Sequence, residues 1–134
     1  MVRKDRADYR YGVGIAIICI NDWRIETLNK INSFKFESVW CKITTPNSDY
    51  YVASIYHPPD PVYNASELLN ALSHSCDQIL LNDLDTKIII AGDINQLKVR
   101  EFMLQHALKQ MAKVYTRGER ILDVFSHKLS VSLE

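Results

Sequence analysis

The sequence predicts a mixed α/β domain built in layers, and three observations predict it. Two runs rich in Ile and Val, Tyr11 to Ile20 and Lys87 to Ala91, read as strands buried on both faces. Between them, Glu37 to Thr44 and Tyr50 to Tyr56 flank Pro46-Asn47-Ser48-Asp49, the pattern of an antiparallel hairpin with a polar turn. Leu68, Leu69, Leu72, Cys76, Ile79 and Leu80 recur at helical spacing up to Asn82.

Each element has a local reason. Gly12 and Gly14, at the start of the first strand, predict a bulge or a close backbone approach. On the second strand Val39, Cys41 and Ile43 share a face, because side chains alternate with a period of two. His57 to Val62 contains Pro58, Pro59 and Pro61 and must be a rigid loop directly after a strand. Asn64 opens the helix, with Glu67 in the capping-box position. Asn64-Ala65-Ser66 also has the form of a glycosylation acceptor, but the cap accounts for Asn64 without secretion. Lys87 to Ala91 runs directly into Gly92-Asp93-Ile94-Asn95. Val99 to Leu108 reads as a helix with Phe102, Leu104 and Leu108 among its apolar positions. Thr116 to Arg120 is a turn centred on Gly118, and Ile121 to Phe125 is a short strand with Asp123 in its middle.

Composition narrows the function classes. The 134 residues suit one domain or part of a larger one. Hydrophobic residues at 47% and a formal net charge of zero exclude a disordered chain and a uniformly basic one. Charge is uneven locally: Asp60 to Asp93 holds six acidic residues against one basic, and Lys98 to Arg120 six basic against two acidic. That split gives either ordinary solvated faces or one face drawn to phosphates. The apolar runs are far shorter than the ~20 residues of a membrane-spanning helix. Met1 to Arg10 is charged, unlike a secretory leader. Cys19, Cys41 and Cys76 are odd in number and widely spaced, which argues against a disulfide framework or zinc knuckle. The first two read as small core residues, and a reducing, intracellular compartment is expected, the nucleus included. His57, His74, His106 and His127 lack zinc-enzyme spacing, and no nucleophile-elbow, dinucleotide or Walker motif is present.

Three features carry chemistry. A buried strand ending in Gly92-Asp93 puts a carboxylate at the sheet rim where ligands of open α/β sheets gather. Asn95, two residues on, adds a neutral donor and acceptor, a pairing suited to a phosphoryl group with a divalent ion nearby. The same residues also make an Asx turn that needs no ligand. Tyr56, held at a strand end by the proline loop, can offer its hydroxyl to a phosphate oxygen or simply pack. Asp123 inside an apolar strand needs a partner or a site. It can orient a catalytic His or a metal-bound water, or pair with Arg117 or Arg120.

Taken in order, Tyr11 to Ile17, Glu37 to Trp40, Tyr51 to Pro59, Ile90 to Asn95, Thr116-Arg117 and Leu122-Asp123 resemble the endonuclease/exonuclease/phosphatase superfamily. The nearest likeness is to the endonuclease domain of non-LTR (LINE-type) retrotransposons. The resemblance implies a partial four-layer α/β sandwich, two packed mixed β-sheets flanked by helices, over residues 1–134. It implies a Mg²⁺- or Mn²⁺-dependent phosphodiesterase acting on DNA, with no membrane and no obligate protein partner. It implies catalytic roles for Asp93 (attacking water), Asn95 (scissile phosphate), Tyr56 (near that phosphate) and Asp123 (orienting the catalytic histidine). Thr116 and Arg117 correspond to substrate-contacting positions.

The departures are specific. The family's metal-binding glutamate and first asparagine precede the strand that starts at Tyr11 here, and its closing histidine segment has no counterpart, since His127 follows Asp123 too closely. No metal ligand is therefore assigned. A chain without these groups is expected to be inactive alone, because they act as a unit. It is expected to self-associate through uncovered strand faces, and to retain phosphate or nucleic-acid binding as the alternative to catalysis. A calcineurin-like phosphatase would need Gly-Asp-x-x-Asp, which is absent.

Overall fold

The structure, a computed structural model, describes residues 2–4, 15–19, 22–28, 35–83, 86–115 and 121–127. The elements are β1 (Val2–Lys4), β2 (Ile15–Ile17), β3 (Arg24–Thr27), β4 (Glu37–Thr44), β5 (Asp49–Tyr56), α1 (Ala65–Asn82), β6 (Lys87–Asp93), α2 (Arg100–Gln105), β7 (Lys109–Tyr115) and β8 (Ile121–His127). Six strands form one mixed sheet in the order β3-β4-β5-β6-β8-β7. Among the described strands only β5 and β6 run parallel, because α1 carries the chain back between them. β1 and β2 form a separate antiparallel pair.

The hairpin is as the alternation predicts. β4 and β5 pair from Glu37↔Tyr56 to Thr44↔Asp49. Thr45 closes the turn: its hydroxyl accepts from the Ser48 N–H at 3.1 Å, and its own N–H donates to the Ser48 carbonyl at 2.9 Å. Trp40, Ala53, Ile55, Ile88 and Ile90 face α1 and α2, and pack with Leu68, Leu72, Cys76, Ile79 and Phe102 into the main core. Val39, Cys41 and Ile43 face the other way and pack with Ile17 of β2. Burial pushes the Cys41 thiol up to about 11 and the Cys76 thiol up to about 12, so both are inert core residues. Cys19 is only half-buried against the smaller cluster.

α1 begins as its sequence requires. The Glu67 carboxylate accepts the Asn64 N–H at 3.0 Å, and the Glu67 N–H donates to the Asn64 carbonyl at 2.9 Å. Lys35 Nζ adds an ion pair to Glu67 at 2.9 Å, tying the approach to β4 to the helix start.

Several expectations need correction. The described residues give one mixed sheet and the short β1–β2 pair, which do not by themselves show the two packed mixed sheets of a four-layer sandwich. The first strand is described only over Ile15–Ile17, and Ile18 just beyond is 76% exposed, so burial on both faces fails there. Gly12 and Gly14 lie outside the described residues. β6 extends to Asp93 and alternates: Ile88, Ile90 and Gly92 are buried while Ile89 is half-buried. The second helix is six residues, and Leu104 is 74% exposed.

The shortening of α2 has a local cause. Ala107 has φ 52, and the Leu108 N–H reaches the Met103 carbonyl at 2.8 Å while the Ala107 N–H reaches that of Leu104 at 3.4 Å. That is a Schellman stop with alanine where glycine is usual. It turns Leu108 into the core, and β7 starts at the next residue. Ala107→Gly should stabilise the protein by about 1 kcal/mol, since left-handed backbone costs an L-residue about that much. A melting temperature equal to or below wild type in thermal denaturation would contradict it.

Candidate functional site

The site is built from strand ends. β5 and β6 pair in parallel up to Tyr56↔Asp93, so both reach the same rim. One further backbone bond, from the His57 N–H to the Asp93 carbonyl at 2.8 Å, carries the ladder into the proline loop. Beyond Asp93 the chain turns. Asn95 takes φ 45, a left-handed conformation that asparagine tolerates better than most residues. Its N–H donates to Asp93 Oδ1 at 3.2 Å, and its Nδ2 donates to the His57 carbonyl. The Asx turn considered from sequence is therefore present, and it positions Asn95 beside the end of β5.

Tyr56, Asp93 and Asn95 are thus brought together. Asp123 stands opposite Gly92 on the other flank of β6, one ladder position from Asp93. The backbone of β8 therefore passes the same rim, while the Asp123 side chain lies outside the described residues. Thr116 and Arg117 also lie outside them.

Sequence reasoning did not assign three neighbours of this rim. Glu37 pairs directly with Tyr56 across β4 and β5, on the face that also carries Val39. His57 is buried, and its Nδ1 lies 3.0 Å from the Tyr63 hydroxyl. Burial holds the His57 pKa below its ordinary value. Burial, then the Glu37 carboxylate and Tyr56, push the Tyr63 hydroxyl up to about 12, so it stays protonated. The available signal for Glu37 was its two-residue offset from Val39. The available signal for Tyr63 was its place just before the α1 cap Asn64, where an apolar side chain staples the helix start.

The arrangement offers a carboxylate, a fixed primary amide and a phenol on one edge, with cationic side chains close in sequence. Lys98 and Arg100 follow Asn95 and are exposed. Among the described residues no group of three His, Cys, Asp or Glu side chains is placed to hold a metal ion. Glu37 and Asp93 are separated by the whole of β5, so their backbones lie about twice the ~4.8 Å strand spacing apart. Among the described residues the side chains do not form a cation cage. A separate apolar cleft lined by Trp23, Ile43, Tyr50, Val52 and Ile89 lies by the β4–β5 turn, at the other end of β5 from Asp93.

No protein-family model matches the sequence, and no curated protein matches it either. Among solved structures, the chain is similar to the endonuclease domain of TRAS1, a telomere-specific non-LTR retrotransposon, with a TM-score of 0.61 and 12% sequence identity. The match covers 81% of this chain and 57% of that one. At that identity the likeness shows a shared fold. Among the described residues no helix is long and apolar enough to cross a membrane.

Proposed function

From that shared fold we propose that this chain is part of a phosphodiesterase domain of the retrotransposon endonuclease type, with DNA as its substrate class. The observation that carries the reading is the assembly of Tyr56, Asp93 and Asn95 at one rim by strand register and an Asx turn. In this reading the Asp93 carboxylate accepts a proton from, or orients, the attacking water. Asn95 and the Tyr56 hydroxyl hold the phosphate oxygens as charge develops on them. Thr116, Arg117 and Asp123 are proposed as further contributors, by the resemblance of their sequence positions. A divalent ion would supply charge neutralisation in such chemistry. The described residues do not form its site, and no step is derived through it.

The chain spans 57% of the solved domain it matches, and turnover by these 134 residues alone is expected to be undetectable. Two assays on the same protein separate the readings. Nicking of supercoiled plasmid with Mg²⁺ or Mn²⁺ is expected to show no product for wild type or Asp93→Ala. Anisotropy with a labelled duplex is expected to show weak, salt-dependent binding, weakened further in Lys98→Ala/Arg100→Ala. Nicking by wild type that Asp93→Ala abolishes would show a complete site and overturn the inactivity. Absence of both nicking and DNA binding would remove the nucleic-acid reading.

A further inference from the structure

Asn95 occupies a left-handed backbone conformation, and two hydrogen bonds hold it there. One comes from within its own turn, through Asp93 Oδ1. The other is long-range, from Asn95 Nδ2 to the carbonyl of His57, 38 residues away in sequence. The position of that carbonyl therefore decides where the Asn95 amide sits.

The carbonyl is fixed from two directions. Its backbone is anchored to β6 by the His57 N–H bond to the Asp93 carbonyl. Its ring is buried, 5% exposed, and bridged to the Tyr63 hydroxyl at 3.0 Å. Tyr63 is itself held on two sides. Its ring meets Phe36 edge-on, with centroids 4.8 Å apart and planes at 87°. It also directly precedes the α1 cap Asn64, the place from which an apolar side chain staples the helix to its fourth residue, here the buried Leu68. An unbroken chain of contacts thus runs from the main core through Phe36, Tyr63 and His57 to the Asn95 amide.

We propose that His57 and Tyr63 are positioning residues for Asn95: the Tyr63–His57 bridge fixes the His57 carbonyl, which holds the Asn95 amide at the rim. The consequence for chemistry is directional. One Asn95 N–H is spent on His57, so the amide meets a ligand with its oxygen and its remaining N–H in a set orientation. The benefit to function rests on the reading of Asn95 as a phosphate-facing residue, but the geometry does not.

The test is the side-chain amide signal of Asn95 in ¹⁵N-labelled full-length protein, identified by its loss in Asn95→Asp. Tyr63→Phe removes only the hydroxyl, and His57→Leu removes the ring nitrogen. Both are expected to shift the Asn95 amide pair and lower its ¹⁵N heteronuclear NOE. His57→Asn places a polar atom where Nδ1 stood and should restore the wild-type signal. Leu72→Ala, in the core away from the bridge, should lower the melting temperature and leave the pair in place. The proposal is overturned if Tyr63→Phe leaves the pair unchanged, or if Leu72→Ala moves it as much. Should Tyr63→Phe fail to fold, the contrast between His57→Leu and His57→Asn decides the same question. Absence of DNA binding by wild type, with this pattern intact, would sink the function and leave the bridge standing.

Discussion

Gly92→Ala is expected to destabilise the protein by at least ~3 kcal/mol, among the larger effects a single methyl group can have. A Cβ at Gly92 would lie 1.8 Å from the Ile55 carbonyl oxygen and 2.7 Å from its carbonyl carbon. Both are backbone atoms of β5, the parallel partner of β6, so no side chain can swing aside to make room. The neighbouring ladder residues Tyr56 and Asp93 are the rim residues, so the two strands would have to part where the site is assembled. For a domain of this length the loss should appear as a fall in melting temperature of roughly 10 °C or more, with the drop in denaturant midpoint to match. A Gly92→Ala protein that melts within about 2 °C of wild type would show that β5 and β6 do not approach each other as described. The glycine read from sequence as part of a strand-end motif is thus a packing requirement of the parallel pair.

Trp40→Ala is expected to cost ~3–5 kcal/mol, from lost burial and the cavity left behind. Trp40 is 1% exposed and lies directly opposite Ala53, whose small side chain leaves room for the indole beneath the helices. Since domains have only ~5–15 kcal/mol in total, this variant should be partly unfolded or near its limit at 37 °C. A mild core truncation for comparison is Ile43→Val on the opposite face of β4, where Ile43 packs in the smaller cluster with Ile17. That change should cost only ~0.5–1.5 kcal/mol. Urea denaturation of the two variants measures the ratio directly. A Trp40→Ala loss no larger than that of Ile43→Val would show that Trp40 is not packed in the main core as described.

Elements that put a regular face against the core were readable from sequence, and those at the sheet margins were not. β4 and β5 alternate cleanly, and α1 carries both a capping box and a periodic stripe. β3 was missed because it is an exposed edge strand on which only Ile25 is turned partly inward, leaving no repeat to detect. β7 was missed because a register shift between Gln110 and Ala112 interrupts its pairing with β8 and breaks the period of two. The second helix was read too long because Phe102 and Leu108 are both core residues, though a left-handed Ala107 stands between them and ends the helix.

The chemistry of the rim is local in the chain: a carboxylate and an amide two residues apart at a strand end, and a tyrosine before a proline loop. These are properties of short segments, where turn preference and side-chain period act locally. Which distant residues join them follows from the packing of whole elements. Ladder register set Glu37 beside Tyr56 and Asp123 opposite Gly92. The entry of α1 set Tyr63 against His57, and through His57 the orientation of Asn95. The physical reason is that register and helix placement are fixed by the packing of whole faces, so no local pattern encodes which side chains meet at their ends.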